Sequence, residues 1–238
     1  MDIDTAGDVD SKAYRALEAV TLSPLVIPLL VGVAVFVGGA AFVGEGRGAP
    51  IDQFLSLYKG VIFLFLAAIG ILPVLLIVGT LTSIHFDVRA IKSSTVAWNP
   101  SSDRVLRWRF LLSPVVGIYY LYKRHQHIPD QGGDEWWFWL VAASTFGPIV
   151  VLFSFGAVFY WPEHGGFMLL SLGTAICIST LFPVAIYQDA KYARWKSADW
   201  KPNPAFYLGL ALLSMFLLLA PFVGGYYLHH RNRMSTHD

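Results

Sequence analysis

Two stretches decide how this chain is read: Pro114-Val-Val-Gly117-Ile-Tyr119-Tyr120-Leu-Tyr-Lys123-Arg124 and Pro221-Phe-Val-Gly224-Gly-Tyr226-Tyr227-Leu-His-His-Arg231. At a constant offset of 107, residues 110–124 match 217–231 at nine of fifteen positions. A second match lies just upstream at an offset of 102, pairing Asp87 with Asp189, Arg89 with Lys191, Lys92 with Arg194 and Trp98 with Trp200. The two blocks together cover about 40 residues in each half of the chain and read as an internal duplication.

Composition says what surrounds the repeat. Hydrophobic residues make up 55% of the 238 positions, charged residues 14%, and the mean hydropathy is +0.55. Soluble domains carry about 25% charged residues, so the deficit marks a chain solvated largely by lipid. A net charge of +1 gives no electrostatic case for nucleic acid. The single cysteine, Cys177, sits in an apolar run, which excludes an intrachain disulfide and a CxxC metal site.

Apolar runs then set out the spans, each needing about 20 residues. The first is Leu22 to Val43, whose second half, with the adjoining Gly44, carries Gly38, Gly39, Ala40 and Ala41, small residues that permit close helix approach. The second is Gly60 to Ile84, interrupted by Pro73. The fourth follows Trp136, Trp137 and Trp139 and ends at Tyr160-Trp161. The fifth is Phe167 to Tyr187 and the sixth Ala205 to Leu228. The third is short: Arg107 and Arg109 leave only Phe110 to Tyr122 uncharged, about 20 Å of helix against a core of about 30 Å. A re-entrant or interfacial helix is the rival reading there.

The expected fold is therefore all-α, a polytopic transmembrane bundle of six helices in a 3+3 repeat. Residues 1–20 read as an acidic tail, 21–126 as the first three-helix repeat, 127–135 as a polar linker, 136–233 as the second repeat and 234–238 as a C-terminal tail. Three crossings per half would insert the halves in opposite orientations, the inverted-repeat architecture of many secondary transporters. The positive-inside rule pulls the other way. Six spans divide Lys and Arg nine to eight, whereas a third helix that fails to cross gives thirteen to four, with a cytoplasmic N-terminus.

Chemistry is sparse. The motifs of metalloproteases, α/β-hydrolases, P-loop NTPases and dinucleotide-binding enzymes are absent. His125 with His127, and His229 with His230, lack the i, i+4 spacing of a helical ligand pair, so neither a metal nor a cofactor is expected. The loops at 85–105 and 188–204 put Asp87, Arg89, Lys92, Asp189, Lys191 and Arg194 where lipid headgroups or a substrate would sit. Trp98, Tyr119, Tyr120, Arg124, Trp200, Tyr226, Tyr227 and Arg231 read as interfacial anchors.

The Tyr-Tyr-Leu-Tyr-Lys-Arg-His segment, with its upstream Asp-x-Lys/Arg loop and the Trp200-Lys-Pro202-Asn203-Pro204 turn, resembles a module of uncharacterised haloarchaeal multi-pass membrane proteins. The first copy departs from it, having Trp98-Asn-Pro100 alone and a truncated span. The resemblance covers about a third of the chain and implies location and build, not an activity. The leading expectation is a non-catalytic scaffold or accessory subunit of the cell membrane. Its partners would be the bilayer, further copies of itself or other membrane subunits. Two alternatives stand beside it: a small inverted-repeat carrier or channel for a neutral or amphipathic solute, and a membrane enzyme acting on lipid headgroups.

Overall fold

The computed structural model describes residues 12–44, 59, 74–94, 98, 100, 113–128, 134–160, 165–196, 200–216 and 219–235. Among these residues every regular element is helical. In chain order they are α1 (Lys12–Leu22), a single 3₁₀ turn (Ser23–Leu25), α2 (Val26–Gly44), α3 (Val74–Lys92), α4 (Ser113–His127), α5 (Trp137–Thr145), α6 (Gly147–Tyr160), α7 (Gly165–Lys196), α8 (Pro204–Phe216) and α9 (Ala220–Ser235).

Four helical segments are long and apolar enough to cross a membrane: Lys12–Ala41, Val74–Lys92, Trp137–Ser154 and Gly166–Lys196. The first includes α1, so the expected N-terminal tail is helical from Lys12 onward and buries Tyr14 and Leu17. The second and fourth run past the expected loop starts, so Asp87 and Asp189 lie in helices. Of the expected second span, residues 60–73 fall outside the described residues.

The sixth run is not one helix. It is divided into α8 and α9, and the Tyr207 and Tyr227 rings meet edge to face at 4.9 Å between centroids. Twenty residues of straight helix would hold them about 30 Å apart. The pair is a hairpin, and its first arm of 13 residues reaches about 20 Å. Pro204 and Pro221 explain the two starts. Proline fits the first turn of a helix, where its missing N–H costs nothing, but not the interior. Asn203 caps the first arm, its side-chain oxygen accepting from the Ala205 and Phe206 amides at 3.1 and 3.3 Å. In the earlier block Trp98 and Tyr120, 22 positions apart in the sequence, also meet, their rings 5.7 Å apart. Hydropathy counted the length of these runs and could not see their direction.

The long α7 is the hub, packed against α2, α5, α6 and α8. Its contact with α2 is antiparallel and glycine-made. A Cβ on Gly32 would come within 2.7 Å of Cys177 Sγ, one on Gly39 within 2.6 Å of the Leu170 amide, and one on Gly173 would strike the Phe36 backbone. Of the small residues at the end of α2, Gly38 and Gly39 are buried while Ala40 and Ala41 are exposed. Such close backbone approach is the kind of contact by which apolar helices associate in lipid.

Two apolar clusters result. One gathers Tyr14, Leu17, Ile84, Val116 and Tyr120; the other gathers Val141, Ile186, Ala211, Ala220 and Tyr227.

Candidate functional site

The residues matched between the two blocks meet in two equivalent arrangements. In the first, the Tyr120 hydroxyl donates to Asp87 Oδ2 at 2.8 Å and Arg124 Nε donates to the same oxygen at 3.0 Å. The guanidinium carbon of Arg124 lies over the Tyr14 ring, 3.6 Å from its centre. Asp87 is 0% exposed and Arg124 1%. In the second, the Tyr227 hydroxyl donates to Asp189 Oδ2 at 2.7 Å, and Arg231 Nε stands 3.3 Å from that oxygen as an ion pair. Phe138 takes the place of Tyr14 near the guanidinium, at 5.9 Å. Trp98 and Trp200 each pack a ring on the tyrosine of their own triad, at 5.7 and 5.4 Å.

Each triad ties the end of a long helix to the returning arm that follows it. The tyrosine and arginine are four apart, so one helical turn aims both at the same carboxylate. A carboxylate taken out of water must have its lone pairs met, and a tyrosine with an arginine does so here. The second triad is the looser. Asp189 Oδ1 has no hydrogen-bond partner among the described residues, and the Arg231 side chain keeps 13% exposure.

These contacts reveal a match in the first helices that identity alone conceals. At an offset of 124, Tyr14 corresponds to Phe138, Leu17 to Val141, Thr21 to Thr145 and Pro24 to Pro148. Both threonines bond back to the carbonyl four residues earlier, at 2.7 Å, one turn before a proline-marked break. Both face the glycine of the Pro-x-x-Gly motif. A Cβ on Gly117 would meet Thr21 Oγ1 at 3.3 Å, and one on Gly224 would come within 2.7 Å of Thr145 Cγ2.

A third cluster has no copy. Glu18 Oε1 accepts from Tyr14 at 2.6 Å, from Lys191 at 2.8 Å and from Tyr187. His125 Nε2 stands 3.2 Å from the Tyr187 hydroxyl. Glu18 and His125 belong to the first half, Tyr187 and Lys191 to the second, so this cluster joins the halves. Sequence reasoning missed Glu18, whose counterpart at the same offset is Ala142, so the repeat gives it no signal.

The expected site residues thus separate. Asp87, Asp189 and Lys191 are buried and bonded to other side chains of the protein. Arg89 and Lys92 are exposed, and Arg194 is half-buried. Of the expected anchors, Tyr120, Arg124, Tyr227 and Arg231 belong to the triads, and Trp98 and Trp200 pack against them. Tyr226 remains outward-facing and Tyr119 half-buried. The reason is the hairpin, which carries each Tyr-Tyr-Leu-x-x-Arg segment back onto the helix before it.

A cavity of about 230 Å³ opens between α5, α6 and α7, lined by Ala143, Phe146, Val150, Ala175 and Ile178 together with Ser171 and Thr174. Its hydroxyls are engaged, Ser171 with Ser154 at 2.8 Å and Thr174 with the Leu170 carbonyl at 2.8 Å. Ligand sites commonly run from about 300 to 1,000 Å³ and present convergent polar groups. Among the described residues no three His, Cys, Asp or Glu side chains converge to hold a metal ion. Comparison with protein-family models, curated proteins and solved structures finds no match to this chain.

Proposed function

We propose that the chain is a non-catalytic multi-pass protein of the cell membrane, a scaffold or accessory subunit. In this reading it is built from two parallel repeats of two crossings and one re-entrant hairpin. The observation that carries it is the use made of the buried charge. Asp87 and Asp189, the polar groups best placed for chemistry, are each occupied by a tyrosine and an arginine that fasten a hairpin. Ionisable groups inside a membrane protein usually mark a pathway or a reaction centre; here they act as fasteners.

Contacts among the clusters support the parallel arrangement. Arg124 and Lys191 both lie over the Tyr14 ring, at 3.6 and 5.4 Å, and Lys191 is two residues from Asp189. Matched triads thus sit at one end of the bundle, whereas an inverted pair would place them at opposite ends. Charge agrees. With four crossings and two hairpins, fifteen of the 17 Lys and Arg fall on the N-terminal side, all but Arg47 and Lys59. That asymmetry makes the N-terminal side cytoplasmic. The carrier and headgroup-enzyme readings draw no comparable support, since the former leaned on inversion and the latter on outward-facing aspartates.

Two measurements test this. In a Cys177→Ala background, single cysteines replace Ser94, Lys201 and Glu163, and a membrane-impermeant thiol reagent is applied to intact and opened cells. Ser94→Cys and Lys201→Cys should label from the cytoplasmic side and Glu163→Cys from outside; Ser94 and Lys201 on opposite faces would end the parallel reading. Separately, the purified protein is screened by thermal shift against sugars, amino acids, nucleosides and lipid headgroup analogues. No selective, saturable rise in Tm is expected, and one would count against a purely structural role.

A further inference from the structure

The two returning arms are fastened alike and braced unequally. α4 lies between the halves of the chain, packed on α1 of its own half and on α8 of the other. Asn203 Nδ2 donates to the Tyr122 carbonyl at 2.9 Å, and the Tyr187 hydroxyl stands 3.2 Å from His125 Nε2. Asn203 and Tyr187 belong to the second half, so both halves grip this arm. α9 packs chiefly on α5, α7 and α8, all of the second half. At the offset of 107, Tyr122 becomes His229, which is exposed.

The fastening differs in the same sense. Arg124 donates directly to Asp87 and lies over the Tyr14 ring. Arg231 Nε reaches Asp189 as an ion pair at 3.3 Å, and neither it nor Asp189 Oδ1 has a hydrogen-bond partner among the described residues. A carboxylate oxygen left unmet out of water is costly, and opening to water removes that cost. The arm itself is also the weaker helix. Gly225 stands where the first arm has Ile118, a Cβ there would meet nothing within 4 Å, and an interior glycine lowers helix stability. On the outer face Phe222 is 75% exposed and Tyr226 58%.

We propose that α9 is a strap that opens from the bundle as a unit, while α4 stays closed and α8 stays seated. Opening parts Tyr227 from Asp189 and from the Tyr207 ring, and it uncovers the Thr145 side chain on which Gly224 sits. α8 has its own hold, capped by Asn203 and packed on α4 and α7. The proposal rests on the fastener role given to the triads above and not on the number of crossings.

Hydrogen–deuterium exchange of the full chain in lipid nanodiscs, read peptide by peptide by mass spectrometry, tests it. Local opening sets the exchange of amides that are otherwise helically bonded. Those of α9 should exchange at least about tenfold faster than those of α4, with α8 as protected as α4. Equal protection of α4 and α9 overturns the proposal. So does α8 exchanging together with α9, since the whole hairpin then loosens and no strap exists. Arg124→Ala keeps the strap and the fastener reading apart. It should raise α4 exchange toward the rate of α9 and leave α9 unchanged. If α4 stays as protected as before, the triads are not fasteners, and that reading falls together with the strap.

Discussion

At the scale of the residue, the two triads invite different outcomes from the same substitution. Arg124→Ala strips the ion-pair cation, 3.0 Å away, from an aspartate that is 0% exposed, while the Tyr120 hydrogen bond stays. Such removals cost about 3–5 kcal/mol. Arg231→Ala acts on a longer pair, 3.3 against 3.0 Å, with a more exposed arginine, and should cost less. Thermal unfolding in detergent micelles reads the order, and an equal loss would contradict the assigned asymmetry. Replacing the whole first triad, as Asp87→Leu with Tyr120→Phe and Arg124→Met, should recover most of the stability that Arg124→Ala loses, since a removed pair leaves no orphan. The triad members were legible as repeated letters. Their partnership was not, because Asp87 and Tyr120 are 33 positions apart and meet only if the chain turns back. Read as a loop and a span, they looked like anchors for a lipid surface.

At the scale of the element, the Pro-x-x-Gly motif now has a mechanical meaning. Proline opens the returning arm, and glycine lets that arm seat against the threonine of the first helix. Alanine at three glycines should therefore give a graded series. Gly224→Ala forces a Cβ into Thr145 and should cost about 1–3 kcal/mol, the range for overpacking. Gly117→Ala, with its nearest neighbours at 3.3 Å, should cost less. Gly225→Ala meets nothing within 4 Å and should be neutral or stabilising by up to about 1 kcal/mol. Unfolding midpoints of the three variants check the order, and a Gly225→Ala loss as large as that of Gly224→Ala would dismiss the seating argument. The start of α8 is set by Pro204 and the Asn203 cap. Thr21-x-x-Pro24 and Thr145-x-x-Pro148 did not surface, because two shared residues within a long apolar run are no signal until a common neighbour reveals them.

At the scale of the whole molecule, the presence of long apolar helices was legible in composition, since a deficit of charge is a property of the entire chain. The break in the sixth run was not, because an apolar run states how much chain is apolar and not whether it runs straight or doubles back. The halves are joined chiefly by α2 on α7 and by the Glu18 cluster. Residues 1–130 and 131–238, expressed as separate chains in the same cell, should therefore copurify. Gly173→Leu, which drives a side chain into the Phe36 backbone, should abolish recovery of the complex; undiminished copurification would place the junction elsewhere.

The proposed arrangement, in which each repeat makes two crossings and a return, has one more consequence, for how such a chain can grow. A unit that enters and leaves by the same face is a closed phrase: it can be copied, removed or appended without turning its neighbours over. Duplication of a three-crossing unit needs an ancestor able to insert both ways up. Two crossings and a return make no such demand, so one tandem copying event suffices, and the same grammar would admit a third unit after Arg233 as readily as it admitted the second.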